Sequence, residues 1–85
     1  MVSNSNFYSA EIIEPTTRHG RRIRVRNRRT DETYYRPYVL QPSINTANQL
    51  EQRVREIHTS PFLDVKILWY DRPLEMLFFE VIRRE

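Results

Sequence analysis

The C-terminal stretch LEMLFFEVIRRE, residues 74–85, decides the fold because it can be read in two ways. Leu74, Leu77, Phe78, Val81 and Ile82 recur at i, i+3, i+4, i+7 and i+8, the spacing of one helix face, with Asp71 placed as a cap and Pro73 in a first turn. Yet Phe78, Phe79, Val81 and Ile82 are β-formers, and Asp71-Arg72 stands between two apolar runs as a hairpin connection would. The hairpin is the better reading. It makes FLDVKILWY, residues 62–70, a strand with Leu63, Val65, Ile67 and Trp69 on its core face, paired to a final strand.

Working back from there, residues 46–58 predict a helix. Thr46-Ala47-Asn48-Gln49 has the Thr-x-x-Gln form of a capping box. Ala47, Leu50, Val54 and Ile57 share one face, Glu51 and Arg55 pair at i, i+4 on the other, and the helix stops near His58, ahead of Pro61. His58 is then expected as a cation at the negative end of the helix dipole. A Pro-containing link over 41–45 leads into this helix. Before it lie three strand signals. FYSAEIIE alternates Tyr8, Ala10 and Ile12 against Phe7, Ser9 and Glu11. RRIRVRN sets Ile23 and Val25 against Arg22, Arg24 and Arg26. TYYRPYVL is rich in β-formers, and its Pro37 lacks a ladder donor, which suits an edge strand. Gly20, the one glycine, lies where a turn calls for positive φ, and 27–32 form a polar turn.

The expected architecture is therefore α+β: an antiparallel sheet in the order β-β-β-α-β-β with one helix packed on one face. Residues 1–6 are expected to be a flexible start and 7–85 a single domain. At 85 residues a chain buries only roughly 60% of the surface its unfolded form exposes, so the core is small, and there is no cysteine to add a disulfide. Aromatics at 12% and hydrophobic residues at 39% nonetheless fit a folded domain. The polar start MVSNSN and the lack of an apolar run of ~20 residues point to a cytoplasmic protein.

Charge is the other strong signal. The net charge is +3, and eight of the 14 basic residues, Arg18, Arg21, Arg22, Arg24, Arg26, Arg28, Arg29 and Arg36, fall between positions 18 and 36 beside only Asp31 and Glu32. The remainder of the chain carries an excess of acid. Thirteen of the 14 basic residues are arginine, whose planar fork suits phosphate and carboxylate. On a strand, Arg22, Arg24 and Arg26 project from one face at ~7 Å intervals. Arg28 and Arg29 extend that track at the turn, and Arg18 and Arg21 flank its beginning. Tyr34, Tyr35 and Tyr38 place aromatic rings on the returning strand, where they either stack on unpaired bases or pack into the sheet.

These residues predict a non-enzymatic binding protein that docks a basic hairpin, 18–36, on nucleic acid, DNA or RNA, mainly through phosphate contacts. Arg18, Arg21, Arg22, Arg24, Arg26, Arg28, Arg29, Arg36, Tyr34 and Tyr38 are the candidate contacts. The alternative partner is an acidic protein surface, met by the same face of an assembly linker or a phage-type inhibitor subunit. A solvated edge hairpin explains one or two arginines but not eight. Membrane phospholipid is disfavoured by the lack of an apolar insertion face, and a homodimer is compatible with the small core. Catalysis is not expected: His19 and His58 lack companions, and Asp64 and Asp71 have no spacing that demands a carboxylate pair. Neither a metal nor a cofactor is expected. Over residues 21–58 the element order is similar to that of the arm-binding domains of phage integrases, but the strand after the helix departs from that plan.

Overall fold

The computed structural model describes residues 6–39 and 45–84. Strands β1 (Asn6–Ile13), β2 (Arg22–Asn27) and β3 (Thr33–Pro37) precede helix α1 (Thr46–Ile57), and β4 (Leu63–Asp71) and β5 (Met76–Arg83) follow it. All pairings are antiparallel, and the sheet order is β3-β2-β1-β5-β4. The helix therefore leaves one edge strand and delivers the chain to the other. Its length, roughly 18 Å for 12 residues, is close to the roughly 19 Å spanned by five strands.

Alternation along each strand divides the sheet into a helix-side face and an open face. Tyr8, Ala10 and Ile12 lie beside Ile23 and Val25 on one flank and Leu77 and Phe79 on the other. Leu50 and Val54 of α1 close over them, and Ile23, Val25, Leu50, Val54 and Phe79 are fully buried. The hydrophobic effect acts through this one layer of contacts, which explains how so short a chain gains a continuous core. Within this C-terminal stretch Met76–Arg83 form a strand, which follows a turn in which Asp71 Oδ1 accepts from the Leu74 amide at 3.0 Å. That turn is longer than the expected Asp71-Arg72 pair and runs to Glu75, which takes the left-handed conformation at φ 53°. Pro37 ends an edge strand, as its missing donor requires.

Four local expectations are corrected. Trp69 does not face the core. The β4–β5 register shifts between Ile67 and Trp69, and this bulge inverts the alternation, so that Trp69 joins the open face at 49% exposure and Tyr70 turns inward. The helix cap is Asn45 and not Thr46: the Asn45 side chain accepts from the Asn48 amide at 2.9 Å. Gln49, released from a capping box, is buried and accepts a 2.6 Å hydrogen bond from Tyr38 Oη. Gly20 does not adopt positive φ; in the hairpin after β2 that conformation falls on Asp31, at φ 64°. Finally, His58 caps the helix C-terminus but packs against Tyr8, Tyr34 and Phe79. Burial, reinforced by the Arg36 charge, lowers its pKa below the usual histidine value, which favours the neutral ring over the expected cation. The expected flexible start and the link into the helix fall largely outside the described residues.

Candidate functional site

The arginine track forms because β2 is a two-faced strand. Ile23 and Val25 sink into the core, and this drives Arg22, Arg24 and Arg26 together onto the open face. No other layer packs on that face among the described residues, since α1 occupies the opposite one.

The track is less bare than a local charge count implies. β1 lies antiparallel beside β2 and brings Glu11 directly opposite Arg24, where the two form an ion pair. The hydrogen bond to Glu11 raises the Arg24 pKa further above its already high value. Glu14 meets Arg21 at 3.0 Å, and Asp31, across the turn, meets Arg26 at 2.8 Å. Counting Glu11, Glu14, Asp31 and Glu32 against the eight arginines, the region keeps a charge of +4. The exposed pairs, Arg21–Glu14 and Arg26–Asp31, are worth at most about 1 kcal/mol, so a stronger anion can displace them; Arg24–Glu11 is partly buried. The Arg22 guanidinium lies over the Tyr35 ring at 4.6 Å. Arg28 donates its backbone amide to Phe7 O at 2.7 Å, and its exposed side chain has no partner among the described residues. Arg29 stands at the exposed turn, where Asn27 Oδ1 accepts from the Arg29 and Thr30 amides. Arg18 lies in the exposed loop before β2.

The aromatic half of the expected site divides. Tyr34 is on the helix side, paired with Val25 in register, and its hydroxyl is 2.6 Å from His58 Nε2. Burial pushes its pKa up to about 12. Tyr38 is 8% exposed and is held by Gln49. Arg36 also lies on the helix side of β3, with its guanidinium over the Tyr34 ring at 5.0 Å. The structure therefore separates Tyr34, Tyr38 and Arg36 from the arginine face. Tyr35, opposite Arg24 and 42% exposed, is the tyrosine that shares it.

Sequence reasoning missed a second group on the open face. Trp69 and Phe78 stack at 4.5 Å between ring centroids, and Phe78 stacks on Phe7 at 5.8 Å. The available signal was Phe78 itself: it lies between Leu77 and Phe79 and makes β5 apolar on both faces. Beside the arginines lies a groove of about 260 Å³, lined by Ser9, Glu11, Arg24, Arg26, Arg28 and Met76.

The remaining candidates for chemistry are occupied structurally. Asp64 is ion-paired with Arg84, which lowers its pKa, and Asp71 caps the β4–β5 turn. Among the described residues no three metal-ligating side chains come together, and no helix is long and apolar enough to cross a membrane. No protein-family model matches the chain, and no curated protein or solved structure matches it.

Proposed function

We propose that this is a non-enzymatic nucleic-acid-binding protein that docks through the open face of its sheet, with phosphates held by the β2 arginines. The observation that carries this reading is the placement of Arg22, Arg24 and Arg26 on one uncovered face. Same-face residues on a strand recur every ~7 Å, about twice the 3.4 Å rise per nucleotide of a stacked strand. Asp31 sits at the surface and Glu11 is half-buried, while the Arg24 and Arg26 side chains both reach solvent, where a phosphate competes for the same guanidinium forks. Arg28 and Arg29 extend the track, and Arg18 and Arg21 lie at its other end. An acidic protein surface would meet the same cations. Nucleic acid is favoured because exposed rings, Tyr35 and Trp69, lie on the same face as the charge.

Fluorescence anisotropy with labelled DNA and RNA at two or more salt concentrations tests the proposal. Affinity should fall steeply with salt. The triple variant Arg22→Ala/Arg24→Ala/Arg26→Ala should flatten the slope of log K against log salt by roughly 2 to 3, the share of three phosphate contacts. Failure of every nucleic acid to bind at low salt would refute it and turn the search to acidic protein partners.

A further inference from the structure

We propose that the ligand is single-stranded and that its bases stack on the ring row ending at Trp69; this rests on the function proposed above and assigns the second half of the same face. The sheet register carries the inference. Arg26 lies opposite Ser9, Ser9 opposite Phe78, and Phe78 opposite Trp69, so one row crosses four strands from cation to indole. At ~4.8 Å per strand the row is roughly 14 Å long.

Each position in the row has a distinct part. Arg26 and its neighbours supply the charge at the β2 end. Ser9, 2% exposed, is the small residue that stands between Arg26 and Phe78 in the row and lines the groove beside the arginines. Trp69 and Phe78 lie 4.5 Å apart with planes 19° from parallel, close to the spacing between strands. Their rings therefore stand on edge and face one another across β4 and β5. β4 is an edge strand, so among the described residues no strand flanks Trp69 on its outer side, and the half-exposed indole ends the stack. A base extends such a stack as a further ring would.

Two features favour a nucleic-acid strand over another occupant. The first is charge. Beyond the rings, Lys66 faces Glu80 and Asp64 is tied to Arg84, so the cationic excess lies on the β2 side. A strand is polarised in the same sense, with phosphate along one side and base along the other. The second is the bulge. Without it Trp69 would alternate into the core, and only the inserted residue turns the indole outward. Duplex DNA keeps its base faces stacked internally, so only an unpaired strand can offer them.

The chain has a single tryptophan, so its emission reports on this site directly. The full-length protein is titrated with a 12-nucleotide thymidine strand, an abasic deoxyribose-phosphate chain of equal length and a 12-base-pair duplex. The thymidine strand should quench Trp69 and bind tightest. Trp69→Leu should lower its affinity roughly 5- to 150-fold, the effect of losing one stacked base, and leave the abasic chain unaffected. Equal affinity for the thymidine and abasic chains, with unchanged emission, would overturn the stacking inference and leave the phosphate-docking reading standing. Tighter binding of the duplex would overturn it likewise. No binding by any probe at low salt would overturn both. A dimer in sedimentation that Trp69→Leu dissociates would assign the ring row to a second copy of the chain instead. The comparison of strands on the unaltered protein needs no variant and stands even if Trp69→Leu does not fold.

Discussion

Replacing Phe79 by alanine tests the division of the sheet into a buried and an open face, with Trp69→Ala as its counterpart. Phe79 is fully buried, stacked on Tyr8 at 5.3 Å and met edge-on by His58 at 5.6 Å. Its truncation removes a complete ring from water-free packing and leaves a cavity, for a cost of about 3 to 5 kcal/mol. Trp69 has roughly half its surface in solvent, so about 100 Å² of ring is buried. At 25 cal/mol per Å² that gives roughly 2.5 kcal/mol as an upper bound, and no cavity forms because water fills the site. An 85-residue domain commands only about 4 to 13 kcal/mol in total, so the two variants should be plainly different in urea unfolding followed by circular dichroism. Phe79→Ala should also admit water to His58 and raise its pKa toward 6.5, visible by NMR titration of the ring. If Trp69→Ala costs as much as Phe79→Ala or more, the bulge assignment and the face division are both wrong.

Two further outcomes follow from local geometry. Asn45→Ala should cost about 1 kcal/mol, read from thermal unfolding, because the Asn48 amide loses its acceptor; Thr46→Ala should cost distinctly less. The lowered His58 pKa makes stability pH-dependent in a defined direction. Its neutral ring is favoured in the fold by burial and by the neighbouring Arg36 charge. The associated stability is present above pH 6.5 and is lost as pH falls through the lower folded-state pKa. The melting temperature should accordingly drop between pH 7.5 and 5, and His58→Phe should abolish most of that drop; an unchanged drop in the variant would clear His58 of the effect.

Much of the fold was legible because it depends on short-range periodicity. The alternation of Ile23 and Val25 with Arg22, Arg24 and Arg26 required a strand with one greasy and one cationic face, and that is where the side chains lie. The helix face of Leu50 and Val54 followed from 3.6-residue spacing. What local pattern cannot carry is pairing between distant strands and irregularity within one. Glu14 and Glu11 neutralise Arg21 and Arg24, seven and 13 residues away in the opposite direction from Asp31, and only the β1–β2 register brings Glu11 opposite Arg24. Tyr34 and Tyr35 are adjacent in sequence, yet the pleat sends one to His58 and the other to the arginines.

The amino-acid order by itself determined the α+β architecture and the cationic face of β2 and favoured the hairpin over the helix for 74–85, since each rests on side-chain period and backbone preference. The tertiary structure alone decided which rings join that face. One inserted residue in β4 reverses the direction of Trp69, and the β1–β5 pairing brings Phe7 and Phe78 beside it, because a side chain's face is set by its register against a neighbouring strand and not by its own type.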